Sequence, residues 1–156
     1  MPAPSKDHKR QMKSAARLFA VQALFQMEAT GASLDDVRDQ FETHRFGATI
    51  DGDEYANGNV NLFRSLLDAA LDQQAAIDQM TDRALVAKWP IGRIDPTLRA
   101  LFRAAGAELK SKDTPVKVVI NEFVDVANAF FPESREPKLV NAVLDHMARE
   151  ARPDAF

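Results

Sequence analysis

Apolar residues recur at spacings of three and four along almost the whole chain, and this constrains the fold more than any other feature of the sequence. Leu34, Val37 and Phe41 follow it, as do Phe63, Leu66, Leu67, Ala70 and Ile77. Leu98, Leu101, Phe102, Ala105 and Leu109 repeat it, then Ile120, Phe123, Ala127 and Phe130, then Val140, Val143, Leu144 and Met147. Such spacing puts one apolar stripe on a helix and leaves nothing for the alternating faces of a sheet. The reading is all-α, with six to seven helices forming two packed three-helix bundles. A chain of 156 residues suits one domain, 1–156, with subdomains at roughly 5–80 and 81–150. No internal repeat is visible.

Capping residues set the expected boundaries. A first helix starts after Ser5 and stops near Gly31, where glycine accepts the left-handed conformation that ends helices. Ser33 starts a second, with Asp36 placed as in a capping box. Residues 44–58 hold Gly47, Gly52 and Gly58 and read as a long loop. A third helix runs from about Asn59 through Gln74 and Ile77, and Thr81 caps a short one ending at Trp89-Pro90. Asp95-Pro96 and Thr114-Pro115 each read as a cap followed by proline in the first turn. Val116–Ile120 has strand-like composition, but the helical spacing continues through it. A last helix occupies roughly 136–150, with Pro137 at its start.

Composition excludes several kinds of chemistry. There is no cysteine, hence no disulfide, thiolate metal site or thiol nucleophile. That fits a reducing, cytoplasmic setting. No apolar run approaches the ~18–20 residues of a membrane span, and the basic start is not followed by the apolar stretch of a signal peptide. His8, His44 and His146 stand apart and match no ligand spacing, so no metal is expected. Gly-rich phosphate loops and GxSxG contexts are missing. The stretch Asp51–Asn59 resembles a calcium loop only superficially, because Ala56 and Leu62 stand where glycine and glutamate belong. Asp68/Asp72 and Asp78/Asp82 are carboxylate pairs one turn apart, but they lie in a strongly acidic block and read as a solvated face. No catalytic constellation and no cofactor site emerges, so the chain reads as a binding protein rather than an enzyme.

The net charge of −3 hides an asymmetry. Residues 1–17 carry five Lys/Arg against one Asp, residues 28–82 three Arg against twelve acids, and residues 83–117 eight basic groups against three acids. A polyanion would be drawn to the first and third blocks and repelled by the second. On the first helix Lys6, Arg10, Lys13 and Arg17 fall within about 60° of arc, with Lys9 at the edge. Met12, Ala16, Phe19, Ala23 and Met27 lie well off that stripe and face the core. The stripe suits the phosphates of a nucleic acid, or it solubilises a terminal helix. From Leu18 to Met27 only Gln22 and Gln26 are polar. This half is either the buried centre of the fold or in part a docking surface, and Phe25, beside the glutamines, is the candidate contact. Arg99, Arg103 and Lys110 form a second basic stripe, or ordinary surface charge.

Four segments, in order, resemble one family. Ala16-Arg17-Leu18-Phe19-Ala20-Val21-Gln22-Ala23-Leu24-Phe25 resembles the first-helix signature of the NusB transcription antitermination factors, and Leu62-Phe63-Arg64-Ser65-Leu66-Leu67 resembles their third helix. Asp113-Thr114-Pro115-Val116-Lys117-Val118-Val119-Ile120-Asn121-Glu122 resembles their D-x-P-x-K-V-x-I-N-E segment, and Lys138-Leu139-Val140-Asn141-Ala142-Val143-Leu144-Asp145 their K-F-V-N-G-V-L-D ending. The resemblance implies a non-enzymatic factor that pairs with NusE, a ribosomal small-subunit protein. Together they would bind boxA RNA and support processive transcription of ribosomal RNA operons, with RNA polymerase reached through the complex. Carried over by position, it implies an RNA surface of Lys9, Arg10, Lys13, Arg17, Lys117, Lys138 and Leu139, and a NusE-facing side holding Phe25 and Gln22. A homodimer through the first helix is the competing use of that apolar side. A protein–protein adaptor, or a relative of the helical domain preceding a ribosomal RNA cytosine methyltransferase, is the alternative reading. That enzyme's catalytic cysteine and Gly-rich loop are absent from this sequence. There are also departures within the family pattern: the family's arginine cluster is sparser here, Leu139 replaces an aromatic able to stack on a base, and Gly106-Ala107-Glu108-Leu109 lacks the tyrosine common before Glu-Leu.

Overall fold

A computed structural model describes residues 5–46, 57–89, 94–132 and 136–156. Among these residues the chain forms seven α-helices and no strand: α1 (Lys6–Thr30), α2 (Leu34–Phe41), α3 (Asn57–Asp72), α4 (Gln74–Lys88), α5 (Pro96–Ser111), α6 (Val116–Phe130) and α7 (Glu136–Ala151). A single π-helical turn, Glu42–Phe46, follows α2, and a 3-10 turn, Pro153–Ala155, follows α7. The superficial calcium loop at 51–59 falls largely outside the described residues, and of it only the α3 backbone from Asn57 is described.

Most expected boundaries hold, for the expected reasons. The Ser5 hydroxyl accepts from the His8 amide at 3.1 Å, and Ser33 accepts from the Asp36 amide at 3.1 Å. Gly31, at φ 74°, ends α1 and donates its amide to the Met27 carbonyl. The Asp95 carboxylate accepts from the Thr97 amide at 2.7 Å, with Pro96 in the first turn of α5. Thr114 behaves differently: Pro115 holds the cap position of α6 and makes no side-chain cap bond. Val116–Ile120, strand-like in composition, is the opening of α6.

Two expectations fail together. The helix expected to run from Asn59 through Ile77 breaks at Gln73, whose φ of −113° and ψ of 21° separate α3 from α4. Thr81 caps nothing. It lies buried in the middle of α4, and its hydroxyl donates to the Ile77 carbonyl at 2.7 Å. The break is a single residue wide, because the Gln73 amide still bonds Ala69 and its carbonyl accepts from Ile77. In consequence α4 packs against α7 and α5 rather than extending α3, so the change of neighbours comes at Gln73 and not near residue 81.

Helix α5 touches both groups of helices. It packs against α1 and α3 on one side and α4, α6 and α7 on the other. Its buried residues run from Leu98 to Leu109 on nearly every face, including Ala100, Ala104 and Ala107. A helix apolar all round is a central one, and the buried residues of both groups form one contiguous core about it. Beside it, Phe19, Phe41, Phe46 and Phe63 form an aromatic cluster with ring centroids 4.9–6.4 Å apart. Such contacts add to the apolar area each ring removes from water.

Gly106 lets α4 approach α5. A Cβ at that position would stand 2.6 Å from Cγ2 of Ile77, closer than two carbons can pack. We predict that Gly106→Ala destabilises the protein by about 1–3 kcal/mol despite its better helix propensity. The midpoint of urea unfolding checks this, and an unchanged or raised midpoint would count against it.

Candidate nucleic-acid and partner interface

The N-terminal half of α1 carries exposed Lys6, Lys9, Arg10 and Lys13. Arg10 shares an exposed 3.1 Å ion pair with Asp7 one turn earlier, which leaves its guanidinium open to other partners. Together with Arg17, Asp113, Thr114, Pro115, Val118 and Glu122, these cations line an open depression of about 390 Å³ between α1 and the start of α6. Lys9, Arg10 and Lys13 are thus brought together on one surface.

Arg17 borders that depression but is not among its exposed cations, which corrects its expected place in the basic stripe. It is only 2% exposed. Its Nε and Nη2 each donate to a carboxylate oxygen of Glu108 at 2.8 Å, and its Nη1 stands 3.4 Å from Glu122. Burial opposes the charge, but the hydrogen bonds and fields of these carboxylates outweigh it and hold the Arg17 pKa above its ordinary value. The guanidinium is thus neutralised within the fold by two carboxylates.

Around this pair the chain is tied together. Ser14 donates to Glu122 at 2.7 Å, and Thr114 donates to Glu108 at 2.8 Å, which is where its hydroxyl goes instead of capping α6. From beyond α7, Arg152 donates to the carbonyls of Glu108 at 3.0 Å, Leu109 at 2.7 Å and Thr114. These bonds cap the end of α5, whose last residue leads into Lys112 at a left-handed φ of 64°. The turn that walls the basic depression is therefore held both by α5 and by the segment that follows α7.

The remaining expected RNA residues lie elsewhere on the surface. Lys117 is exposed in the first turn of α6, next to the depression-lining Val118. Lys138 is exposed near the start of α7, and Leu139 is half-buried against the core. Two members of the second basic stripe are compensated: Arg103 makes a bidentate pair with Asp78 at 3.0 Å, and Arg99 and Arg103 both reach Glu28. The hydrogen bond to Asp78 raises the Arg103 pKa. Asp78 and Asp68, the latter 3.4 Å from Arg38, serve in ion pairs rather than on the simply solvated face that their acidic surroundings suggest. Among the described residues no group of three or more His, Asp or Glu is placed to hold a metal ion, and no helix is long and apolar enough to cross a membrane.

Further along α1, Phe25 is 39% exposed and Gln22 half-buried. They line a second depression, of about 340 Å³, with Gln26, Phe41, Arg45, Thr97 and Phe130. The Gln22 side-chain oxygen is buried there without a hydrogen-bond partner among the described residues. Gln26 is braced by Gln40 at 2.8 Å, and Arg45 lies over the rings of Phe19 and Phe41. Arg45, Thr97 and Phe130 come from three other parts of the chain, and no spacing within one segment reveals their convergence.

A rigid helical scaffold whose first helix presents cations at one end and an apolar, amide-rimmed hollow at the other defines a two-sided binding protein. The profile of the NusB family matches residues 14–149. The chain is 46% identical over 156 residues to the transcription antitermination protein NusB of Rhodopseudomonas palustris (strain BisB18), covering 99% of this chain and 92% of that one. It is 46% identical over 154 residues to the NusB of Maricaulis maris (strain MCS10), covering 98% and 95%. Among solved structures, T. maritima NusB aligns with a TM-score of 0.71 at 27% identity, over 100% of this chain and 99% of that one. A crystal structure of the antitermination factors NusB and NusE in complex with dsRNA aligns with a TM-score of 0.70 at 22% identity, over 90% and 98%, a likeness of fold. The chain belongs to the NusB family.

Removing one member of the buried pair strands the other. We predict that Arg17→Ala and Glu108→Ala each cost about 3–5 kcal/mol, several times the effect of Arg10→Ala, whose pair is exposed. Equal shifts in unfolding midpoint for Arg17→Ala and Arg10→Ala would refute the distinction.

Proposed function

We propose that this chain is a transcription antitermination factor that binds boxA RNA together with NusE and supports processive transcription of ribosomal RNA operons. It acts by binding, not catalysis, and meets RNA polymerase only through the assembled complex. The observation that carries the reading is the exposed ridge of Lys9, Arg10 and Lys13 on the first helix of a NusB-family fold. Each of these cations can neutralise a phosphate and release a condensed counterion, which makes affinity fall with salt. Lys117 extends the ridge onto α6, and Lys138 and Leu139 are assigned to its far edge. Leu139 offers apolar contact where an aromatic would stack, so more of the affinity rests on the joint surface with NusE.

For NusE we assign the hollow around Phe25 and Gln22. An exposed aromatic on a rigid helix, rimmed by amides and backed by an aromatic cluster, is the kind of residue that dominates interfaces. The same hollow serves a homodimer in the competing reading, and the two uses exclude each other.

Changing Lys9, Arg10 and Lys13 together to alanine should weaken boxA binding and reduce the slope of log affinity against log salt by about 2, at roughly 0.7 per lost phosphate contact on single-stranded RNA. Filter binding at several salt concentrations reads both quantities, and an unchanged slope would remove RNA from this surface. Arg17 belongs outside that variant, because its loss would unfold rather than uncharge. For the partner side, Phe25→Asp should lower NusE affinity at least about tenfold with little change in unfolding midpoint. Calorimetric titration with NusE checks it, and loss of self-association with NusE affinity intact would favour the homodimer.

A further inference from the structure

A second groove adjoins the cationic depression and shares with it Arg10, Val118 and Glu122. It measures about 480 Å³ and runs between α1 and α6, with Gln11 and Ser14 on one wall and Val118, Asn121 and Asp125 on the other. The last three stand at spacings of three and four, so they share one face of α6. All three are exposed, Val118 by 40%.

The polar groups of this groove divide into two kinds. Ser14 and Glu122 are bonded to each other at 2.7 Å, and Glu122 also faces Arg17. They form a fixed wall. The side chains of Gln11, Asn121 and Asp125 have no hydrogen-bond or ion-pair partner among the described residues. Two amides and one carboxylate are thus presented to the groove, alongside an exposed apolar side chain.

We infer that this groove reads the edge of one unpaired RNA base, and that Asp125 selects guanine. The inference rests on the RNA-binding reading and assigns the bases of that RNA a place distinct from its phosphates. A phosphate is repelled by Asp125 and attracted to Lys6, Lys9 and Lys13 on the other side of Arg10 and Val118. A base is uncharged, so it suits the groove with its face against Val118 and its edge on the polar groups. Sequence-specific recognition of single-stranded RNA works in this way, through hydrogen bonds to splayed base edges. A carboxylate only accepts hydrogen bonds. Guanine alone among the four bases presents two adjacent donors, N1–H and the N2 amine, which match the two oxygens of one carboxylate. Its O6 and N7 accept from the amides of Gln11 and Asn121. Uracil presents one N–H flanked by two carbonyl oxygens, which a carboxylate repels.

The test uses the full-length protein and fluorescently labelled oligouridines that differ only at one central position. Fluorescence anisotropy should show the guanine-containing strand bound about tenfold more tightly than plain oligouridine, in line with the discrimination of a bidentate pair. Cytosine and adenine should give no comparable gain. Asp125→Asn replaces one acceptor with a donor on an exposed site. It should abolish the preference for guanine while leaving oligouridine affinity equal or higher. If the wild type and Asp125→Asn show the same base preference, or if cytosine serves as well as guanine, the groove is not a guanine subsite and the phosphate ridge stands. If oligouridine fails to bind in a salt-dependent way at all, the ridge falls and the subsite falls with it.

Discussion

The buried pair of Arg17 and Glu108 holds the rest of the molecule in register. Isolated, either charge would be costly at this depth, since removing an ion from water costs several kcal/mol. Joined by two 2.8 Å hydrogen bonds and flanked by Glu122 and Thr114, both are satisfied. Such a pair contributes less to stability than an apolar one of equal volume, but it tolerates only one alignment. Helix α1 cannot slide or rotate against α5 without breaking the fork. The exposed cations that precede Arg17 by one and two turns take their direction from this fixed point, and so does the hollow around Phe25 that follows it.

Local chemistry made much of this architecture readable. Ser5, Ser33, Asp95 and Gly31 set boundaries because caps act within a few residues of themselves. The core faces of α5, α6 and α7 followed from periodicity alone. The burial of Arg17 escapes the sequence pattern because arc on a helix fixes direction and not cover. It shares its arc with Lys6, Arg10 and Lys13, but α5 and α6 close over that direction at its level. The break at Gln73 was hidden because apolar residues on both sides face inward, so the spacing runs through it unbroken. Thr81 looked like a cap for want of that break. The hollow around Phe25 was half visible, since Phe25 lay off the core arc, while Arg45, Thr97 and Phe130 converge on it only in three dimensions. The groove of Gln11, Asn121 and Asp125 was not visible at all, because each is an ordinary surface residue within its own helix.

The blocks of unlike charge acquire a meaning once folded. The acidic stretch does not repel everything around it, because Glu28 and Asp78 are taken up by Arg99 and Arg103, Asp68 by Arg38, and Glu42 by Arg64. Exposed pairs of this kind contribute little to stability. Their effect is subtraction: they weaken the contribution of Arg99 and Arg103 to the field that a distant polyanion feels. The exposed lysines at the start of α1 stand outside these pairs, and cations gathered on one stretch of helix orient an approaching strand as well as attracting it.

Arg152 carries a consequence for how distant parts of the chain depend on one another. It lies beyond the last α-helix, yet its guanidinium grips the end of α5 and the turn that walls the cationic depression. The contact between Arg17 and Glu108 already spans 91 positions, and that from Arg152 to the Glu108 carbonyl spans a further 44. Contacts so far apart form late, after the loops they close have been ordered. Helix α1 therefore gains its final setting only from residues more than 90 positions further along the chain. The shape of a depression on the first helix thus depends on a side chain from the far end of the fold, which touches none of the cations it helps to place.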